Sequence, residues 1–292
     1  MSLLDDYDAL LIDLDGTIYR GTEVVPAAGP AVDAAHAAGT TVRFVTNNAS
    51  RGPDEVAAHL VELGVHATSD EVSTSAQAAA KIVAGKLDAG ATVLVVGAPA
   101  LADELELVGL KTVRKDTDDV VAVVQGLSKD TSWWDLAEAC VAIRRGALWV
   151  ACNADATLPT ERGLLPGLGS FVAALRTATD KEPIVAGKPM TPLLDEAART
   201  AGSKHPLVIG DRLDTDIAGA VAAGMDSLFV LSGVSTARDL IAAAEDARPT
   251  YVAADVAAVT KDAAELRIDR DGDWRDAVVA ALTHLGLEHE VA

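Results

Sequence analysis

The sequence predicts an α/β protein: a three-layer, Rossmann-like parallel sheet core with a smaller α/β unit inserted into it. Strand-like apolar runs alternate with helix-like stretches along most of the 292 residues, the pattern of a parallel sheet with helices on both faces. Half of the residues are hydrophobic but only 3% are aromatic, which suits an aliphatic, helix-rich core. A chain of this length is also comfortable as two domains.

In order, Ala9–Leu14 reads as the first strand and Thr41–Thr46 as the second. Between them, small apolar residues from Pro26 to Ala38 recur at helical spacing and stop at Gly39, suited to a helix C-terminus. A second helix starts near Pro53, with Gly52 before it and Glu55 in its first turn, and runs to Leu63-Gly64. Further strands are expected at Thr92–Val96, Val120–Val124, Leu148–Ala151, Leu207–Ile209 and Asp226–Leu231. The helix between Thr131 and Arg145 places Leu136, Cys140 and Ile143 on one stripe, with Ser132 as its cap. On that helix Trp133 and Trp134 are expected to pack rather than to flank a substrate or a dimer interface. Cys152–Gly169 is the longest stretch without a period and reads as a loop, the kind of segment that is functional or mobile.

The formal charge of −20 argues against nucleic acid, whose phosphates need a basic face, and against an anionic membrane surface. No apolar stretch reaches the length of a membrane span, and Asp5, Asp6 and Asp8 follow Met1 too closely for a signal peptide. Cys140 and Cys152 form no metal-ligand or disulfide pattern, as in a reducing compartment. The expectation is a cytoplasmic protein.

The chemistry begins at Leu10-Leu11-Ile12-Asp13-Leu14-Asp15-Gly16-Thr17. Residues two apart in an extended segment point the same way, so Asp13 and Asp15 share a face. Two carboxylates there repel unless a cation lies between them or one stays protonated. That arrangement fits a nucleophile and an acid/base group working on a metal-bound anion, whereas an Asp-Gly turn alone is the bland alternative. Three more apolar runs end in polar residues: Val42–Val45 at Thr46-Asn47-Asn48, Leu207–Ile209 at Gly210-Asp211 with Asp214, Thr215 and Asp216 beyond, and Pro183–Ala186 at Gly187-Lys188-Pro189. All four are expected at equivalent strand ends and therefore to converge, since open parallel sheets bind ligands outside their carboxyl ends. The stretch 79–183 has strands and helices of its own and reads as an inserted lid. Asp269–Asp273 lacks the ligand spacing and terminal Glu of a calcium loop, so it reads as a polar turn before a helix starting near Trp274.

In order, Asp13-Leu14-Asp15-Gly16-Thr17, Thr46, Lys188 and Gly210-Asp211…Asp216 resemble the four motifs of the haloacid dehalogenase-like (HAD) superfamily. The second aspartate is similar to that of its phosphatases. The string Asn153-Ala154-Asp155…Pro159…Gly163…Pro166-Gly167…Gly169 resembles the cap loop of the type IIA, NagD-like branch, with Ala154 where many members carry proline. That branch includes p-nitrophenyl phosphatases, phosphoglycolate phosphatases and glycerol 3-phosphate phosphatases.

The resemblance implies a HAD-fold core formed by 1–78 and 184–292, with a type II cap at 79–183. It implies that Asp13 attacks phosphorus and that Asp15 serves as acid and then base. Mg²⁺ would be held by Asp13, the backbone carbonyl of Asp15, and Asp211, with Asp216 orienting that shell and Gly16 and Gly210 supporting it. The Thr46 hydroxyl, the amides of Asn47 and Asn48, and Lys188 would hold the phosphoryl group, while Asn153 and Asp155 select the substrate. The implied activity is Mg²⁺-dependent hydrolysis of a small phosphorylated metabolite, glycerol 3-phosphate or 2-phosphoglycolate first, by a homodimer formed through the cap. The alternatives are a nucleoside monophosphate 5'-nucleotidase and, from another class, a non-catalytic phosphate-binding regulatory protein.

Overall fold

The computed structural model describes residues 1–160, 162–269 and 272–287. They form two compact units: Met1–Val45, Ala57–Val72 and Leu194 onward in the first, Thr46–Val56 and Ser73–Leu193 in the second.

The first unit is organised by a six-stranded sheet in the order Tyr251–Ala253, Asp226–Val230, Pro206–Gly210, Ala9–Asp13, Thr41–Thr46, Val72–Thr74. The strand Ala9–Asp13 pairs in parallel with both neighbours, Ile12 opposite Ile209 and Asp13 opposite Val45. Leu10, Leu11, Ile12, Leu207 and Ile209 are fully buried or nearly so, each contributing about 1.5–3 kcal/mol of hydrophobic stabilisation. From Ala9–Asp13 the chain winds outward to one side; from Pro206–Gly210 it winds to the other. The order therefore reverses between these two strands, and a doubly wound sheet opens its binding crevice at such a reversal. Asp13 ends one of the two strands and Asp211 follows the other.

The helix Ala28–Ala38 ends at Gly39, which adopts φ +79°, a conformation glycine reaches without a Cβ penalty. Past Val259, where the motifs give out, the chain still builds core. Trp274, Val278 and Leu282 of the helix Trp274–His284 are buried with Leu213, Ile217, Phe229, Leu240 and Val252, and the Trp274 indole donates to Leu240 O at 2.9 Å. Asp273 caps that helix by accepting from Asp276 N; Arg270 and Asp271 of the expected turn lie outside the described residues.

The second unit carries a five-stranded parallel sheet in the order Ile184–Val185, Leu148–Ala151, Val120–Gln125, Thr92–Val96, Lys111–Val113. The expectation that Pro183–Ala186 is an equivalent strand of the sheet that carries Asp13 is corrected here. Ile184 pairs with Val150, and Val185 with Ala151, so the run before Lys188 belongs to this sheet and the unit reaches Leu193. The 152–169 stretch is corrected too: Thr157–Thr160 and Gly163–Pro166 form an antiparallel hairpin. Helix Trp133–Arg145 starts as expected, the Asp135 carboxylate accepting from both the amide and the hydroxyl of Ser132 at 2.7 Å. Its buried stripe is Ala139, Ala142 and Ile143. Trp134 is nine residues from Ile143, half a revolution away at 100° per residue. The two tryptophans are therefore not packed into the unit: they are 69% and 71% exposed and meet edge to face at 4.7 Å.

On the helix Pro99–Leu107, Glu104 is only 8% exposed. Burial, and then the negative charges of Asp103 and Asp54, pushes its carboxyl above the usual range. A carboxyl raised by folding costs stability once pH climbs above its unfolded value and costs nothing below it. Glu104→Gln is expected to raise the melting temperature at neutral pH and to leave it unchanged below the ordinary value of 4.5. Thermal scans at the two pH values check both halves.

Candidate active site

At the switch point of the first sheet, oxygens of Asp13, Asp211 and Asp216 lie within 4.8 Å of one another. Asp13 is half-buried, and the other two are buried. The backbone builds this group closely. Gly16 has φ +94°, and a Cβ there would come 2.3 Å from Asp211 Oδ2. A Cβ on Gly210 would meet Asp216 at 2.3 Å, and one on Gly233 would meet Asp211 Oδ2 at 2.0 Å. These glycines are present because the carboxylates occupy the space that a side chain would need. The short π-helical turn Leu213–Ile217 carries Asp216 back towards the strand end, where its carboxylate accepts from Arg212 N at 3.1 Å. Such π-turns are rare and concentrate at functional sites.

Three carboxylates this close repel unless they share a cation. The donor set is all oxygen, which suits a hard ion such as Mg²⁺ and not a thiolate- or imidazole-seeking one. The residues fit the expected metal. Asp15 has its side chain outside this group and more than a third exposed. Desolvation by the surrounding loop still raises its pKa, against a Gly21 backbone hydrogen bond and the charge of Arg212. That direction suits a proton donor. Asp214, which follows Asp211 in the same polar stretch, is engaged by Arg212 at 3.0 and 2.7 Å, and that ion pair holds its carboxyl below the usual range.

The other predicted residues gather in the second unit. Lys188 is 3% exposed. The Asn47 carboxamide pairs with its peptide from both ends, accepting from Lys188 N at 2.8 Å and donating to Lys188 O at 2.9 Å. Gly187 is needed beside it, since a Cβ there would stand 2.5 Å from Asn47 Oδ1. The Asn153 carboxamide donates to Asn47 O at 2.7 Å and accepts from Asp155 N at 3.2 Å, tying the three predicted residues Asn47, Asn153 and Asp155 together. Asp155 also accepts from Asn47 Nδ2 at 3.3 Å. The Asn48 amide, expected on phosphate, donates to Thr46 Oγ1 at 3.1 Å, so of that pair the Thr46 hydroxyl hydrogen is the donor left to a ligand.

Sequence reasoning missed the segment after the strand Asp226–Val230. There Val234 N donates to Asp211 Oδ2 at 2.6 Å, Ser235 N donates to Asp211 O at 3.2 Å, and Ser232 Oγ donates to Gly16 O at 2.7 Å. Backbone donors leave no mark on residue type, and only the adjacent Gly233 hinted at a close approach.

Among known proteins, a haloacid dehalogenase-like hydrolase model matches residues 10–111, and a second HAD-hydrolase-like model matches residues 185–259. The D-glycerol 3-phosphate phosphatase of Mycobacterium tuberculosis is 54% identical over 274 residues, covering 94% of this chain and 77% of that protein. The 5'-nucleotidase YutF of Bacillus subtilis is 38% identical over 231 residues, 78% of this chain and 89% of that one. The crystal structure of a Mycobacterium tuberculosis glycerol phosphate phosphatase in complex with magnesium superposes with a TM-score of 0.90 at 48% identity, covering 97% of this chain and 92% of that chain. With a carboxylate cluster at the switch point and matches over nearly its whole length, the chain belongs to the haloacid dehalogenase-like hydrolase family.

Proposed function

We propose that this protein is a magnesium-dependent phosphomonoester hydrolase working through an aspartyl-phosphate, with glycerol 3-phosphate as the favoured substrate. The observation that carries the reading is the Asp13, Asp211 and Asp216 group at a switch point, with a second, pKa-raised aspartate two residues after the first. A non-catalytic phosphate-binding protein would need neither a nucleophile nor a proton donor. The relative at 54% identity supports glycerol 3-phosphate; 2-phosphoglycolate stands next by chemistry. The nucleotidase at 38% identity supports a nucleoside monophosphate as the second reading.

Asp13 attacks phosphorus, and the bond to the leaving oxygen breaks. Asp15 gives its proton to that oxygen, and the alcohol departs. The same carboxylate then takes a proton from water, whose oxygen attacks the phosphorus and releases Asp13. The Thr46 hydroxyl and the Lys188 ammonium hold phosphoryl oxygens, with the carboxamide of Asn47 fixing the lysine. Asp13, Asp211 and the backbone carbonyl of Asp15 would hold Mg²⁺, with Asp216 behind them; when bound there the ion supplies positive charge against carboxylate and phosphate.

Hydrolysis of a phosphometabolite panel, ranked by kcat/KM, tests the substrate: glycerol 3-phosphate is expected first, and a nucleoside monophosphate in first place would overturn that choice. Exhaustive chelation is expected to remove all turnover and added Mg²⁺ to restore it. Activity that survives chelation contradicts the metal assignment.

The stretch 79–183, which makes up most of the second unit, is assigned as the cap inserted between core segments 1–78 and 184–292, and as the dimerisation element. The exposed Trp133–Trp134 pair supports the latter, since aromatic side chains are enriched at protein interfaces. Light scattering is expected to give a dimer mass that W133A/W134A halves; a wild-type monomer would refute it. No described helix is long and apolar enough to cross a membrane. Cys140 and Cys152 are free thiols, which supports a cytoplasmic location.

A further inference from the structure

We propose that Ser232 is a positioning residue for the proton donor, setting Asp15 against the leaving-group oxygen by pinning the Gly16–Thr17 peptide that follows it in the turn. The turn after Asp13 has no regular ladder to hold it, and Gly16 at φ +94° is a conformation the chain must be made to keep. It is pinned from both sides. Gly16 N donates to Tyr19 O at 2.7 Å, which fixes the Asp15–Gly16 peptide. Ser232 Oγ donates to Gly16 O at 2.7 Å, which fixes the Gly16–Thr17 peptide from a segment 216 residues away. Ser232 is itself 4% exposed, so no water competes for that bond. Its own carbonyl accepts from Arg20 Nε, which ties the Tyr19–Arg20 and Glu23–Val24 hairpin to the same residue.

The division of labour within this segment makes the proposal testable. Asp211 is held by backbone donors, Val234 N at 2.6 Å and Ser235 N at 3.2 Å. A side-chain change at Ser232 leaves both of these in place. Removing the hydroxyl should therefore disturb the donor side chain and spare the Asp13 and Asp211 ligands, while the Asp15 carbonyl keeps the Gly16 N to Tyr19 O bond on its own peptide. The inference rests on the reading of Asp15 as proton donor, and it predicts a dependence on the leaving group. An alkoxide must be protonated as it departs; p-nitrophenolate is stable as an anion and needs little help.

Ser232→Ala is expected to lower kcat/KM, which reports the steps up to departure of the alcohol and not the later attack of water, by about 10- to 100-fold on glycerol 3-phosphate, the usual cost of losing an outer hydrogen-bond partner, and by much less on p-nitrophenyl phosphate. Calorimetric titration of the protein with Mg²⁺ in the absence of substrate is expected to give an unchanged Kd. Arg20→Ala should show the same leaving-group bias, and the double variant should be no worse than Ser232→Ala alone, since both act on one contact chain. Equal losses on the two substrates, or a weakened Mg²⁺ Kd with no leaving-group bias, would overturn the proposal and make Ser232 a structural or metal-supporting residue. If Ser232→Ala does not fold, the leaving-group bias of Arg20→Ala decides. A wild-type enzyme that hydrolyses neither ester sinks the phosphatase reading itself, which separates the two failures.

Discussion

Asp13→Asn is expected to yield a folded protein that does not turn over. Asparagine has nearly the shape of aspartate, and Asp13 sits half-buried at the end of its strand, so packing of Leu10, Leu11 and Ile12 is untouched. What is lost is the attacking oxygen. A carboxamide cannot form the acyl phosphate, and Asp15 cannot replace it because its carboxylate stands outside the cluster. The loss of an essential catalytic side chain is on the order of 10⁴-fold or more. Removing one of three crowded negative charges also relieves repulsion, so the melting temperature without metal should hold or rise. Hydrolysis of p-nitrophenyl phosphate, a thermal melt and intact-mass detection of an acid-quenched phosphate adduct check the three parts. Wild-type-like hydrolysis by the variant would remove Asp13 from the mechanism.

Lys188→Met is the second large effect. Lys188 is almost fully buried, so its charge is little screened by salt. A unit charge about 4 Å from a phosphoryl oxygen at an effective dielectric of about 20 is worth roughly 4 kcal/mol. At about 1.4 kcal/mol per tenfold, that is on the order of 10³ in kcat/KM. If the ammonium holds the phosphoryl group as proposed, its removal takes one positive charge away from a phosphate dianion. Lys188→Arg is expected to rescue little, because the guanidinium is broader and planar and the backbone at that point is held between Gly187 and Asn47. Initial rates over a substrate range, with the inhibition constant of inorganic phosphate, check it. A loss below tenfold would show that the ammonium does not meet the phosphoryl group.

Much of the local structure was readable from residue order. Ala9–Ile12 and Val93–Val96 are buried apolar runs, Gly39 ends its helix, and Ser132 and Asp273 start theirs. The hairpin 157–166 was not readable, because Pro159 within a run argues against a strand. A two-stranded ribbon is all edge, and an edge tolerates proline. The exposed tryptophans were misjudged for a related reason: hydrophobicity says what a side chain prefers, and only the helix's rotation says what it meets.

Residue type and spacing alone fixed the parallel α/β class, the paired aspartates and the four motifs, since these depend on local period and on the charge of individual side chains. The tertiary structure decided which sheet carries the run before Lys188, that Asn47 grips a lysine's peptide, and that Ser232 and Val234 brace the loop and the carboxylate. Those outcomes depend on backbone donors and on pairings between residues 23 to 216 positions apart, and neither leaves a periodic trace along the chain.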